Sequence, residues 1–284
     1  MDIYKQIWEC DTKHSGLRPI SPLENRNYSE GYVMVDTQVC SPDHRILREV
    51  HIPDKKRKSY ELIEKLFDNY TLNQKSKEIN TAYEFKEASE FLMMASLSPP
   101  VQIARKFLME KLNKNFDDQQ WYHQLHHLWF RQFNWDNGRD LSGFEHVFIG
   151  EQQRRKLVGH HFWYKYWLAD QDHADHVDMT CEVPSDQNSA SPYVITVSYQ
   201  LKATDHHKKK SVELSKKRCT FLVGISAEGL LALGTIRALG KEYVPEYFYI
   251  KEIPYKLELI MSPDGQSIRT FYLSNHSPGH GLNI

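Results

Sequence analysis

Two carboxylates and three imidazoles fall within the twenty residues from Ser142 to His161. The stretch opens Ser142-Gly143-Phe144-Glu145-His146-Val147-Phe148-Ile149-Gly150-Glu151 and closes on His160-His161. Imidazole titrates near neutral pH, so two histidines can divide the acid and base roles of one proton-transfer reaction. The blander account of Phe144 to Ile149 is a half-buried strand with a chance histidine. Three further clusters could do chemistry. His123, His126 and His127 fall on neighbouring turns of one helical stretch, a spacing that suits zinc if a carboxylate or thiolate is near, although no H-E-x-x-H is present; structural or surface histidines are the alternative. Residues 170–178 gather Asp170, Asp172, Asp175 and Asp178 with His173 and His176. That run reads as a divalent-cation loop or as an exposed acidic loop, and it lacks the glycine and terminal glutamate of an EF-hand. Residues 202–218 set Lys202, Lys208, Lys209, Lys210, Lys216, Lys217 and Arg218 against Asp205 and Glu213. They form a solvated loop or a local nucleic-acid contact.

The elements that must position these groups are legible in part. Residues 1–30 mix Tyr4, Ile7 and Trp8 with polar residues and then turn at Gly16, Pro19 and Pro22. Residues 31–53 read as extended or turn-rich. Leu62, Ile63, Leu66 and Phe67 recur at helical spacing from Tyr60 to Asn69. Residues 79–98 predict a helix with Phe85, Ala88, Phe91, Leu92 and Ala95 on one side. Pro99-Pro100 interrupts the pattern, and a second helix begins near Val101, with Ile103, Phe107, Leu108 and Leu112 inward. A third follows over 117–134, capped by Asp117 or Asp118, with Trp121, Leu125, Leu128, Trp129 and Phe133 as its apolar stripe. The aromatic run Phe162 to Leu168 could stack bases, but core packing accounts better for most of its rings. Residues 192–200 and 220–226 predict strands, and Leu230 to Leu239 a short helix ended by Gly240. Residues 255–261 and 267–273 predict a hairpin across Pro263-Asp264-Gly265. The tail from Ser274 reads as irregular.

At 284 residues the chain can bury a large core. A net charge of −1 argues against a duplex-DNA clamp, so any nucleic-acid contact must be local. No apolar run reaches the ~20 residues that span a bilayer, and the first residues carry no apolar signal region. Cys10, Cys40, Cys181 and Cys219 are scattered without a C-x-x-C pair, so reduced thiols in a cytoplasmic or otherwise intracellular protein are the simplest account.

The string Glu145 to Glu151, followed by Gly159-His160-His161-Phe162-Trp163, resembles the signature of the EndoU family of uridylate-preferring endoribonucleases. That signature reads G-F-E-H-V-F-x-G-E, then G-x-H-N-W, and Phe162 stands where the family usually has Asn. Trp8-Glu9-Cys10-Asp11-Thr12 resembles the family's W-D-x-D opening. Lys216 to Gly229 is similar to the block K-x-x-G-S-x-F-I-G-x-S-P-E-F, with Cys219 in place of Gly, Ala227 of Pro and Gly229 of Phe. Counting back from Gly224 selects Lys216 as the family lysine, with Lys217 and Lys210 as other registers. Thr270-Phe271-Tyr272 matches the family's T-x-Y strand.

The resemblance implies an α+β fold in one domain over 1–284. A helical lobe of about 1–139 would pack on a lobe of antiparallel β-sheets of about 140–275, with the site in the groove between. It implies cleavage of single-stranded RNA 3′ of uridine, leaving a 2′,3′-cyclic phosphate and a 5′-hydroxyl. In that scheme His161 is the base, His146 the acid and Lys216 the electrostatic clamp. Glu145 and Glu151 support the histidines, and Thr220, Thr270 and Tyr272 meet the uracil. Manganese is an expected cofactor, with calcium or metal independence as alternatives. The other reading is an EndoU-like RNA-binding protein whose departures around Lys216 have removed cleavage. Nothing in the sequence fixes the oligomeric state.

Overall fold

The structure, a computed structural model, describes residues 2–37, 45–171, 175–182 and 191–274, without the side chains of 176 and 178–182. Cys40, the Cys181 side chain, Asp172, His173 and the tail from Asn275 lie outside the described residues.

The chain begins with α1 (Ile3–His14), whose mixed apolar and polar residues show no clean helical period in the sequence. Asp2 caps it by accepting from the Tyr4 amide at 3.0 Å, and Ile3, Tyr4, Ile7 and Asp11 form its buried face. A small sheet follows: β1 (Arg18–Ile20) runs parallel to β2 (Tyr32–Val35), which pairs antiparallel with β3 (Leu47–His51). The next helix, α2 (Asp54–Glu64), starts before the apolar spacing that announces it, because its first turns are lysine-rich. Lys56 is nonetheless buried, donating to the carbonyls of Thr12 and Gly16 at 2.7 and 2.6 Å.

Two capping boxes set the next boundaries. Thr81 and Glu84 exchange hydrogen bonds at the start of α3 (Ala82–Leu97), and Asp117 and Gln120 do so before α5 (Asp118–Trp129). Between them, proline at the first position opens α4 (Pro99–Leu112). Phe91, Leu92 and Ala95 are buried as expected, but Phe85 is 63% exposed, because α3 enters the core only past its second turn.

The C-terminal half supplies β4 (Glu151–Gln153), β5 (Lys156–Val158), α6 (Trp163–Asp170), β6 (His176–Glu182), β7 (Val194–Asp205) and β8 (Lys210–Leu222). Then come α7 (Ala227–Leu239), β9 (Tyr247–Ile250), β10 (Ile253–Met261) and β11 (Ile268–Ser274). A five-stranded sheet runs β4-β5-β8-β7-β6, antiparallel except where β5 meets β8. A three-stranded antiparallel sheet runs β11-β10-β9 and contains the predicted hairpin. The lysine-rich run is therefore a paired hairpin, β7 into β8, rather than a free loop. Phe162, Trp163, Tyr164 and Tyr166 are buried, so α6 serves packing.

One core joins the two halves into an α+β fold, extending from Ile3 to Leu273. The apolar helix α7 lies against α1, α4 and β10. Two buried indoles find partners for their N–H: Trp129 donates to Thr235 at 3.0 Å and Trp163 to the Ile225 carbonyl at 2.7 Å, whereas Trp121 Nε1 has none among the described residues. Among the described residues, no helix is long and apolar enough to cross a membrane.

Candidate active site

His146 lies on neither a strand nor an open loop. Residues Glu145–Ile149 wind as a single π turn, closed by the Gly150 amide donating to the Glu145 carbonyl at 2.9 Å. A strand would put Phe144, His146 and Phe148 on one face. The wound turn instead stacks Phe144 on Phe148, with Phe130 on the other side of Phe144, at centroid distances of 4.7 and 4.3 Å. The aromatic pair enters the core and the imidazole is released from between them. Short π segments of this kind recur at functional sites.

The second histidine segment docks on the same turn through its backbone. The amides of His160 and His161 donate to the carbonyls of His146 and Val147 at 2.8 and 2.7 Å. Gly159 makes that approach possible: its φ is +68°, and a Cβ there would lie 1.9 Å from the His146 carbonyl oxygen. Gly143 performs the same service towards β11, where a Cβ would meet the Ile268 carbonyl oxygen at 2.3 Å. The two glycines of the motif are thus requirements of close backbone approach. As a result the rings of His146 and His161 stand 6.3 Å apart, centroid to centroid, tilted by 48°.

A charged chain supports His146 from behind. Its Nδ1 is 2.8 Å from Glu151 Oε2, and Arg269 donates to both oxygens of Glu151, at 2.9 and 2.6 Å. Burial opposes ionisation of Glu151, but His146 and Arg269 outweigh it and hold the carboxyl down to about 2. Burial pushes His146 below the usual histidine range, Glu151 works against that, and the charges of Arg269 and Lys216 reinforce it. Glu145 is also buried, and its titration is pushed well up by burial and by the charges of Glu151 and Glu78. Its Oε2 has no hydrogen-bond partner among the described residues. Glu145 stands behind the site, without a hydrogen bond to either ring.

Arg269 was not legible as a site residue. Ile268 pairs with Met261 and Thr270 with Ile260, so β11 carries one extra residue there, a bulge that turns the arginine towards Glu151. A charged residue inside the apolar run Ile268 to Leu273 was the available signal.

His161 is held by its ring face. Tyr272 stacks on it at 4.5 Å with the planes 10° apart. Burial pushes its titration well below the usual range, and the Lys216 charge adds to this. Lys216 is itself buried and donates to the Gly159 carbonyl at 2.6 Å. A second bulge selects it. Lys216 pairs with Tyr199 and Cys219 with Val197, so β8 advances three residues while β7 advances two. Lys216 and Cys219 therefore share the inner face, and Lys217 and Arg218 are exposed. Lys210 begins β8 at the exposed hairpin end. Cys219 Sγ lies 3.1 Å from the His160 carbonyl oxygen and 3.8 Å from His161 Nδ1.

The other named residues divide. Thr270 shares a face with Tyr272, is buried, and its hydroxyl has no partner among the described residues. Thr220 follows Cys219 in the strand and so faces the opposite side of the sheet, where its hydroxyl lies 3.0 Å from that of Thr196. It is not brought to the histidines. His160 is turned away as well, with Nδ1 on the Tyr199 hydroxyl and its titration pushed by burial to about 3.

The rival clusters assemble nothing comparable. On α5, His126 stacks between Tyr122 and Phe130, and His127 Nε2 pairs with Gln266. In the acidic run, Asp175 pairs with Lys165 at 2.9 Å. Among the described residues, no three His, Cys, Asp or Glu side chains are grouped to hold a metal ion.

A family model described as endoribonuclease XendoU matches residues 1–273. Uridylate-specific endoribonuclease C of Danio rerio is 26% identical over 285 residues, covering 95% of this chain and 86% of its own length. Poly(U)-specific endoribonuclease-B of Xenopus laevis is 27% identical over 234 residues, with 79% and 76% covered. The solved structure of XendoU, described as a splicing-independent snoRNA processing endoribonuclease, is similar in fold with a TM-score of 0.69. It is 21% identical and covers 96% of this chain and 97% of its own. The chain belongs to the XendoU endoribonuclease family.

Proposed function

We propose that this protein cleaves single-stranded RNA at uridylates by attack of the ribose 2′-hydroxyl on the adjacent phosphate. The observation that carries the reading is the imidazole pair at 6.3 Å, close enough to flank one phosphate, with Lys216 buried beside it. His161, kept neutral by burial and by Lys216, is in the state a base needs and takes the 2′-hydroxyl proton. The 2′-oxygen bonds to phosphorus, the bond to the 5′-oxygen breaks, and His146 returns a proton to that oxygen. Glu151 on Nδ1 favours the protonated ring and leaves Nε2–H for the leaving group. The Lys216 ammonium offsets the charge that builds on the phosphorane.

The uracil contacts fall to Thr270 and Tyr272. The unpartnered Thr270 hydroxyl can donate to or accept from a pyrimidine edge. Tyr272 has one ring face on His161, so its other groups meet the nucleotide. The relatives of this chain are described as uridylate- or poly(U)-specific, which supports the same base preference here. For the expected manganese or calcium, the donors do not fit: Glu151 is committed to Arg269 and His146, and burial holds Glu145 and Glu78 towards their protonated forms.

The test is product analysis on an oligonucleotide with a single uridine, in manganese, in calcium and in EDTA. Cyclic-phosphate and 5′-hydroxyl ends are expected, with no cut when that uridine is 2′-deoxy. Products with 5′-phosphates would overturn the mechanism, and binding without any cleavage would favour the RNA-binding alternative.

A further inference from the structure

Cys219 lies against the base-side histidine but takes no part in the steps above. Its sulfur touches two groups of one backbone segment, the His160 carbonyl oxygen at 3.1 Å and His161 Nδ1 at 3.8 Å, and the Tyr199 hydroxyl lies against it as well. We propose that Cys219 is a positioning residue that holds His161 in the tautomer with its proton on Nδ1, leaving the Nε2 lone pair for the substrate. The proposal rests on the reading of His161 as the base.

The count of protons around the sulfur selects the tautomer. A carbonyl oxygen only accepts, and a thiol has one proton, so the contact at 3.1 Å takes the S–H. The sulfur then presents lone pairs to Nδ1, and that contact is favourable only if Nδ1 carries a proton. With the ring proton on Nδ1, Nε2 is unprotonated, as general-base work requires. The opposite arrangement, S–H to Nδ1, puts the ring proton on Nε2 and leaves the buried His160 carbonyl without its donor.

The surroundings prevent the ring from escaping this choice. Tyr272 fixes the ring plane by stacking, and the His161 amide is tied to the Val147 carbonyl. The carbonyl that takes the thiol proton is that of the neighbouring residue, so ring and acceptor move together. The bulge in β8 puts the sulfur on the inner face. Burial pushes the thiol's titration up, against smaller downward pulls from the Lys216 charge and the Tyr199 hydroxyl, so the group stays S–H at neutral pH.

The experiment reads the tautomer directly, by nitrogen-15 NMR of the histidine rings in the whole enzyme, beside steady-state kinetics on a uridine-containing oligonucleotide. In the wild type, His161 should show a protonated Nδ1 and an unprotonated Nε2. Cys219→Ala should give mixed tautomers and a kcat lower on the order of tenfold with KM unchanged, short of the ~10²-fold expected for losing a base outright. Cys219→Ser, whose hydroxyl can make both contacts, should restore the tautomer and most of kcat. A wild-type His161 with its proton on Nε2 overturns the proposal, and that spectrum decides even if the alanine variant fails to fold. An alanine variant with unchanged tautomer and kcat overturns it too. Near-full activity in His161→Ala would instead remove the base assignment and leave the measured tautomer standing, so the two failures are distinguishable.

Discussion

Glu151 is bound by two partners of different kinds, and the site's charge depends on both. Arg269 pairs with it through two hydrogen bonds, while His146 uses the second lone pair of Oε2. Breaking a buried pair by removing one charge leaves the other uncompensated, at a cost of about 3–5 kcal/mol. Glu151→Gln should therefore be destabilised by about that much at neutral pH, in urea unfolding. The sign with pH follows from the lowered folded titration. The carboxylate's contribution is full above its ordinary range near 4.5 and is lost as pH falls through about 2. The gap between wild type and variant should narrow steadily below about pH 4.5. A gap independent of pH would show that Glu151 is not ion-paired. At the same scale, Thr270→Val should narrow the preference for uridine over cytidine while keeping cleavage, because it removes one hydroxyl and leaves the histidines in place. An unchanged preference would move base recognition elsewhere.

The elements explain which of these residues could be seen in the sequence. Capping boxes at Thr81 and Asp117, the apolar stripe of α5 and the hairpin around Gly265 are local patterns, and the fold keeps them. The site depends on local irregularities that alternation cannot show. Strand periodicity over Phe144 to Ile149 conceals a π turn, and single extra residues in β8 and β11 decide where Lys216, Cys219 and Arg269 face. The lysine register came from the spacing to Gly224, whereas Arg269 had no such anchor, and α1 lacked a clean apolar period. The bulge in β8 makes a paired prediction. Lys216→Ala should lower kcat by roughly 10²–10³-fold, the range for losing one stabiliser of transition-state charge. Lys217→Ala, changing an exposed side chain, should stay near wild type. The reverse order would put the wrong lysine at the phosphate. Gly159→Ala tests the docking of the two segments. The new Cβ cannot remain 1.9 Å from the His146 carbonyl, so the pair must separate. A displacement near 1 Å can cost about 10²-fold, and kcat should fall on that order while most of the fold survives. Wild-type kcat in this variant would mean that the backbone docking does not align the rings.

At the scale of the whole molecule, the first helix closes the structure on its C-terminal half. Asp11 on α1 is fully buried and accepts from both the amide and the hydroxyl of Ser226, the residue that caps α7. Residues 215 positions apart in sequence thus share one cap, and α7 in turn packs on β10 in the sheet that carries Arg269 and Tyr272. Burial pushes the Asp11 carboxyl up to about 7; the hydrogen bonds from Ser226 and the charge of Lys56 act against this, and that of Glu228 acts with it. The folded titration lies above the ordinary value of 3.8, so the linkage runs opposite to that of Glu151. The stability contribution is full below 3.8 and is lost as pH rises through about 7, because above that the buried group must ionise. Asp11→Asn keeps an acceptor oxygen for the Ser226 donors and removes the ionisation. Relative to wild type, the variant should gain stability between about pH 4 and pH 8, and Asp11→Ala should lose about 1–3 kcal/mol at low pH by leaving the Ser226 amide without its partner. Urea unfolding of all three proteins at both pH values measures this. If Asp11→Asn follows wild type in parallel across the range, Asp11 does not change its charge on folding, and the cap between the two ends of the chain holds a carboxylate ionised at neutral pH.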